Sequence, residues 1–163
     1  MSNRRLKIGL DFHGVITSNP AFFKDFTALA LSRGHEIHIL TGGPYDKVKA
    51  QLAEWQIPWT ELYAILDYYE KKGEVKFFAN GEFKVDDVLW DIAKAKYCVD
   101  HQIDFHIDDS KQYAKWFVTP FCYYNKERQN CTTDQKIALD FSRPAPDVVK
   151  AIENLTLCEN SES

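Results

Sequence analysis

The chain alternates short apolar runs with amphipathic stretches, and several of the apolar runs end on polar residues. Leu6 to Leu10 (Leu-Lys-Ile-Gly-Leu) stops at Asp11-Phe12-His13-Gly14. That is the pattern of a buried strand delivering a carboxylate to its C-terminal end. Ser18-Asn19-Pro20 then supplies a cap and a proline for the first helical position. Phe22, Phe23, Phe26, Leu29 and Ala30 share one helical face before Gly34 ends the segment. Glu36 to Leu40 reads as a second strand, and Thr41-Gly42-Gly43-Pro44 turns into a helix with Val48, Leu52 and Trp55 at helical spacing. Strand, helix, strand, helix in this order predicts an α/β fold, a Rossmann-like three-layer sandwich around a mostly parallel sheet.

Further along, Leu62 to Leu66 reads as a strand, and Val75 to Phe78 with Phe83 to Val85 around Asn80-Gly81 reads as a hairpin. Asp86-Asp87 can cap a helix in which Val88, Ile92, Ala95 and Val99 share a face. Ile103 to Ile107 is then a strand ending in Asp108-Asp109-Ser110, and Phe121 to Tyr124 is a further strand. The tail carries a strand at Ile137 to Phe141, a short helix after Pro144 and Pro146, and a frayed end from Glu159 to Ser163. Residues 1–163 are therefore read as one domain, with room for a small insert at about residues 57–85.

Charge narrows the function classes. Twenty basic residues against 24 acidic ones give a net charge of -4 with no basic stripe, which disfavours a nuclease or a non-specific grip on nucleic acid. Cys98, Cys122, Cys131 and Cys158 form no Cys-x-x-Cys pair, so neither a zinc site nor a dithiol motif is indicated and all four are expected to be reduced packing residues. No segment reaches the ~18 apolar residues of a membrane span. Met1 to Arg5 does not resemble a signal peptide, so the expectation is a soluble cytoplasmic protein.

Two separate strands thus end in acids, Asp11 in one and Asp108-Asp109 in the other. In an open parallel sheet the C-terminal strand ends line the ligand crevice, so these carboxylates should meet. Carboxylates packed within ~5 Å repel unless a cation lies among them, and hard oxygen ligands select Mg²⁺ over zinc. The plainer alternative is that Asp108-Asp109 merely caps the following segment.

Asp11-Phe12-His13-Gly14-Val15, Thr41-Gly42-Gly43, a helical lysine and Asp108-Asp109-Ser110, in this order, resemble the four motifs of the haloacid dehalogenase (HAD) superfamily across roughly residues 6 to 110. The resemblance implies a phosphatase in which Asp11 is the nucleophile that carries an aspartyl-phosphate. Thr41, with the backbone N–H groups of Gly42 and Gly43, would hold the phosphoryl oxygens, aided by the N-terminus of the helix starting near Pro44. Asp108 would be a direct Mg²⁺ ligand with the Asp11 carboxylate and the His13 carbonyl, and Asp109 a ligand through water. The motif lysine is Lys94 or Lys96. A strand climbs ~3.3 Å per residue and a helix ~1.5 Å, which sets Lys94 level with Asp108 and Lys96 only ~3 Å lower. Lys94 is favoured for neutralising the nucleophile and phosphate, and Lys96 stays open.

The pattern departs from the family at His13, where its phosphatases carry an aspartate that serves as general acid and base. An imidazole of unperturbed pKa ~6.5 could shuttle protons near neutrality, giving an altered enzyme acting on a nucleotide, sugar phosphate or similar metabolite. The other reading is a catalytically impaired phosphate- or partner-binding protein. A phospho-accepting receiver domain would place its acidic pair after the first strand, and here the pair comes late. His38 and His106 are expected to be packed within strands, and His35 and His101 to lie at the surface. Only a small hairpin cap with Phe77, Phe78 and Phe83 fits between Gly43 and Lys94, unless those rings belong to the core. So open a site suits a large substrate or a lid from a second subunit of a homo-oligomer.

Overall fold

The computed structural model describes residues 4–133 and 138–161. In chain order the elements are β1 (Lys7–Asp11), a 3-10 turn (Ile16–Ser18), α1 (Pro20–Ser32), β2 (Glu36–Thr41), α2 (Tyr45–Glu54), β3 (Glu61–Ala64), α3 (Ile65–Lys71), β4 (Lys76–Phe77), β5 (Phe83–Lys84), α4 (Asp87–Asp100), β6 (Phe105–Asp108), α5 (Lys111–Ala114), β7 (Phe121–Asn125), β8 (Asn130–Thr132), β9 (Ala138–Asp140) and α6 (Ala145–Ser161).

Seven strands make one sheet in the order β3-β2-β1-β6-β7-β8-β9. The contacts from β3 through β7 are parallel, and β8 and β9 add an antiparallel edge. This is the α/β architecture with a mostly parallel sheet that the alternating pattern predicts, and it is compatible with a Rossmann-like arrangement. β1 lies between β2 and β6, so successive connections leave it in opposite directions. Such a reversal opens a crevice at the C-terminal strand ends.

Side-chain alternation along the strands assigns the two faces of the sheet. Ile8 and Leu10 of β1, Ile37 and Ile39 of β2 and Ile107 of β6 join Phe23 and Phe26 of α1, Val48 and Leu52 of α2 and Val148 and Ile152 of α6 in the main core. On the other face Leu40 packs with Tyr97 and Cys98 of α4. The local signals explain α1: Asn19 Oδ1 accepts the Phe22 N–H at 3.2 Å and Pro20 takes the first turn. In α4 the Asp86 carboxylate accepts the Val88 and Leu89 N–H groups.

Several expectations are corrected. α4 buries Ala93, Lys94, Ala95, Tyr97 and Cys98, while Val88 and Val99 are over half exposed, so the buried face is rotated from the one its β-branched residues suggested. The stretch expected as one strand from Leu62 to Leu66 is divided: β3 forms the sheet edge, and α3 starts at Ile65. The hairpin is present as β4 and β5, with Phe77 paired to Phe83. Its phenylalanines are exposed (Phe77 54%, Phe78 45%, Phe83 41%), which overturns their core reading. α6 is a long helix rather than a short one, because Val148, Val149 and Ile152 continue an apolar stripe against the core. It runs to Ser161, past the expected start of fraying. β9 matches the expected tail strand from Ala138; Ile137, Glu162 and Ser163 lie outside the described residues.

Cys122 and Cys131, both fully buried on β7 and β8, form a disulfide with Cα atoms 5.6 Å apart, against the expectation of reduced cysteines. Cys98 is a free, buried thiol, the side chain of Cys158 lies outside what the structure describes, and no described helix is long and apolar enough to cross a membrane. His35 is buried rather than superficial. Its Nδ1 accepts the Leu6 N–H, and its Nε2 meets Glu153 on α6.

His38 is packed, as its strand position predicted. An imidazole protonated on Nε2 serves both its neighbours, donating to Glu36 at 3.1 Å and accepting from the Tyr97 hydroxyl at 2.8 Å. Burial lowers its pKa below 6.5 despite the opposing pull of Glu36. A folded pKa below the unfolded one means the unfolded chain binds more protons. The contribution is therefore present above the unfolded value and is lost as pH falls through the folded one. Urea midpoints at about pH 7.5 and about pH 5.5 should show lower stability at the acid end, by at most about 1.4 kcal/mol per pH unit from this residue, and His38→Phe should reduce that slope.

Candidate active site

Asp11, Thr41 and Asp108 are the last residues of β1, β2 and β6, three adjacent parallel strands. The register sets Asp11 opposite Leu40 and Leu10 opposite Ile107, so the three strand ends are level. Asp11 and Asp108 both fall on the α4 face, because alternation sends Ile8, Leu10 and Ile107 the other way.

Lys94 rises from α4 between the two carboxylates. Its Nζ is 2.9 Å from Asp11 Oδ1 and 2.9 Å from Asp108 Oδ2, and all three residues are buried. Lys96 points outward instead and pairs with Asp100. Of the two lysines that helical rise left open, the structure brings Lys94 to the carboxylates. Asp109 stands beside them: one oxygen each of Asp11, Asp108 and Asp109 lie within 4.8 Å of one another. A Cβ at Gly14 would overlap the Asp109 carboxylate, and Gly14 also holds φ at +89°, so both the loop turn and the close approach require glycine there.

The electrostatics follow from three carboxylates facing one ammonium. Burial pushes the Asp11 carboxyl well above the usual carboxylate range; Lys94 pulls it down, and Asp108 and Asp109 push it back up. Burial opposes the Asp108 charge too, but Lys94 and His106 outweigh it and hold its carboxyl below the usual range. For Lys94 the two carboxylates overcome burial and raise the ammonium above its ordinary value. Two formal negative charges stay uncompensated, all on hard oxygen donors. Such a cluster could hold a metal ion, and a divalent cation would balance it.

A cavity of about 260 Å³ opens over the cluster, lined by Asp11, His13, Gly42, Ile65, Lys94, Asp109, Ser110 and Tyr113. His13 sits at its rim with Nδ1 3.4 Å from Thr41 Oγ1. Such burial as it has, and then Lys94, lower its pKa, against Asp109. Two expectations change. Thr41 and Gly43 do not line the cavity: Thr41 is fully buried, and the Gly43 N–H turns to its hydroxyl at 3.3 Å, which leaves Gly42 as the wall. At the start of α2 the first N–H, that of Tyr45, is already taken, since Asp67 of α3 accepts it at 2.8 Å. The capping alternative for Asp108 is true in part, because its Oδ1 accepts the Ser110 N–H.

Sequence reasoning missed the aromatic wall. The Tyr113 ring lies 5.2 Å from Lys94 Nζ, and its hydroxyl is held by Trp90 Nε1 at 3.3 Å. Trp90 fits against Gly42, where a Cβ would come within 3.0 Å of the indole, and it meets Phe83 of the hairpin. Tyr113 is on a four-residue helix, too short to show a period. His106 did leave a signal, since its strand position is two from Asp108 and so on the same face.

Compared with protein-family models, curated proteins and solved structures, the chain matches none of them. What fold and site define is an α/β protein with a buried lysine-bridged carboxylate cluster at its strand ends.

Proposed function

We propose that this chain is a Mg²⁺-dependent phosphomonoester hydrolase of the haloacid dehalogenase type, acting on a nucleotide, sugar phosphate or similar metabolite. The observation that carries the reading is the Lys94 ammonium 2.9 Å from both Asp11 and Asp108 beneath a cavity. Here one cation is shared by two acids that also face a third, in a crevice open to a ligand that brings further negative charge.

Asp11, Asp108 and Asp109 would hold Mg²⁺, which when bound offsets the negative charge of the cluster and of the phosphoryl oxygens. The Asp11 carboxylate attacks phosphorus and the ester P–O bond breaks, giving an aspartyl-phosphate and an alkoxide that takes a proton from the His13 imidazolium, leaving a neutral imidazole. Water then attacks the acyl phosphate while the His13 imidazole accepts its proton, and Asp11 is released with inorganic phosphate. Lys94 favours the charged form of Asp11 against burial and fixes it in place. Tyr113 and Gly42 line the cavity in which the substrate would sit.

The test is phosphate release from an aryl phosphate and from panels of nucleotides and sugar phosphates, with and without Mg²⁺. Wild type should turn over only with the metal, whereas magnesium-independent release would contradict the reading. His13→Asp is informative as well. Alkyl esters need more proton donation to the leaving oxygen than aryl esters, so the family's own acid at this position should raise alkyl-ester turnover about tenfold or more relative to aryl. A silent wild type with an active His13→Asp would instead favour the impaired, phosphate-binding reading.

A further inference from the structure

Asp108 is restrained more fully than a carboxylate that merely caps the next segment. Its Oδ1 accepts the Ser110 N–H at 3.0 Å, while its Oδ2 accepts from both Lys94 at 2.9 Å and His106 Nε2 at 3.0 Å. His106 is fully buried in the same strand. Its ring stacks on Phe117 with centroids 5.1 Å apart and planes 5° from parallel. It also lies against Gly9 of β1, where a Cβ would come within 2.5 Å of Nδ1. The central strand thus gives up a side chain to make room for this imidazole.

The arrangement carries a cost that packing does not explain. To donate to a carboxylate Nε2 must bear the ring proton, which leaves Nδ1 an acceptor. Nδ1 lies against the Gly9 backbone but makes no hydrogen bond of good geometry there or elsewhere among the described residues. A buried polar atom left without a partner is unfavourable, and an apolar side chain of similar size would fill the space without that penalty. What histidine offers that leucine or phenylalanine does not is the bond to Asp108.

We propose that His106 is a positioning residue of the metal centre: by fixing the rotation of the Asp108 carboxylate it sets the affinity of the Asp11, Asp108 and Asp109 cluster for a divalent cation. This rests on the metal reading given above. His106 touches neither cavity nor substrate and acts only through Asp108. Outer hydrogen-bond partners of metal ligands commonly change metal affinity by about 10–100-fold when removed.

The experiment is calorimetric titration of the whole chain with Mg²⁺ for wild type, His106→Leu, His106→Gln and His106→Asn, with circular dichroism to check folding. His106→Leu should bind Mg²⁺ about 10–100-fold more weakly. Glutamine can place its amide nitrogen near the position of Nε2 and should stay close to wild type, whereas asparagine is too short and should behave like leucine. In phosphate release, the loss should appear as a raised Mg²⁺ requirement with kcat recovered at saturating metal. A folded His106→Leu that binds Mg²⁺ within about twofold of wild type overturns the positioning role and leaves the metal centre standing. If His106→Leu does not fold, equal affinities for the glutamine and asparagine variants overturn it. A wild type that binds no Mg²⁺ overturns both the positioning role and the metal reading beneath it.

Discussion

Lys94→Ala is expected to lower the free energy of unfolding by about 3–5 kcal/mol, the range for removing one partner from a buried ion pair. Lys94 is only 4% exposed and bridges two buried carboxylates, so its removal leaves Asp11, Asp108 and Asp109 with no neutralising ammonium. Lys96→Ala is the internal control. That lysine is exposed and pairs with Asp100 across one helical turn, an interaction worth about 0.3–0.5 kcal/mol. Urea unfolding of the two variants separates a buried electrostatic centre from a surface pair two residues away. Equal effects would mean that the cluster is solvated and that Lys94 does not hold it. Saturating Mg²⁺ should recover part of the Lys94→Ala loss, since a cation bound only by the folded state stabilises it by mass action.

Asp11→Asn is expected to abolish phosphate release, by about 10³-fold or more, while leaving the protein folded. The amide keeps the shape of the side chain but is not a nucleophile. Stability should rise or stay level, because Asp11 ionises in the fold only against burial and the two neighbouring acids. A folded pKa above the unfolded value makes the ionised group unfavourable to folding at neutral pH, and the neutral amide removes that burden. An inactive variant at least as stable as wild type is a result that misfolding cannot mimic. An active Asp11→Asn would remove the nucleophile from the account.

The parts of this arrangement legible in the sequence are those written in short-range patterns. An apolar run broken by Asp11, another by Asp108, and a Thr-Gly-Gly turn after the strand between them located three strand ends, and helical rise ranked Lys94 over Lys96. What escaped depends on contacts between distant segments. The apolar residues Val88 and Val99 suggested one face for α4, but the packing of Tyr97 and Cys98 on Leu40 of β2 and of Ala93 on α3 turned Lys94 inward instead. Asp67 takes the first N–H of α2 from a helix that the sequence did not announce, since α3 is seven residues long and follows β3 without a break. Tyr113 and Trp90 meet only in the folded chain. The Cys122–Cys131 pairing joins β7 to β8, a three-residue strand too short to carry an alternation.

The most direct test of the central claim is chemical trapping of the phosphorylated side chain. Wild type is mixed with an aryl phosphate and Mg²⁺, quenched in acid and treated with borohydride, which reduces an aspartyl-phosphate to homoserine; peptide mass mapping then locates the change. The account predicts homoserine at position 11, dependent on both substrate and Mg²⁺. Phosphate released at an undiminished rate with Asp11 unmodified would contradict it.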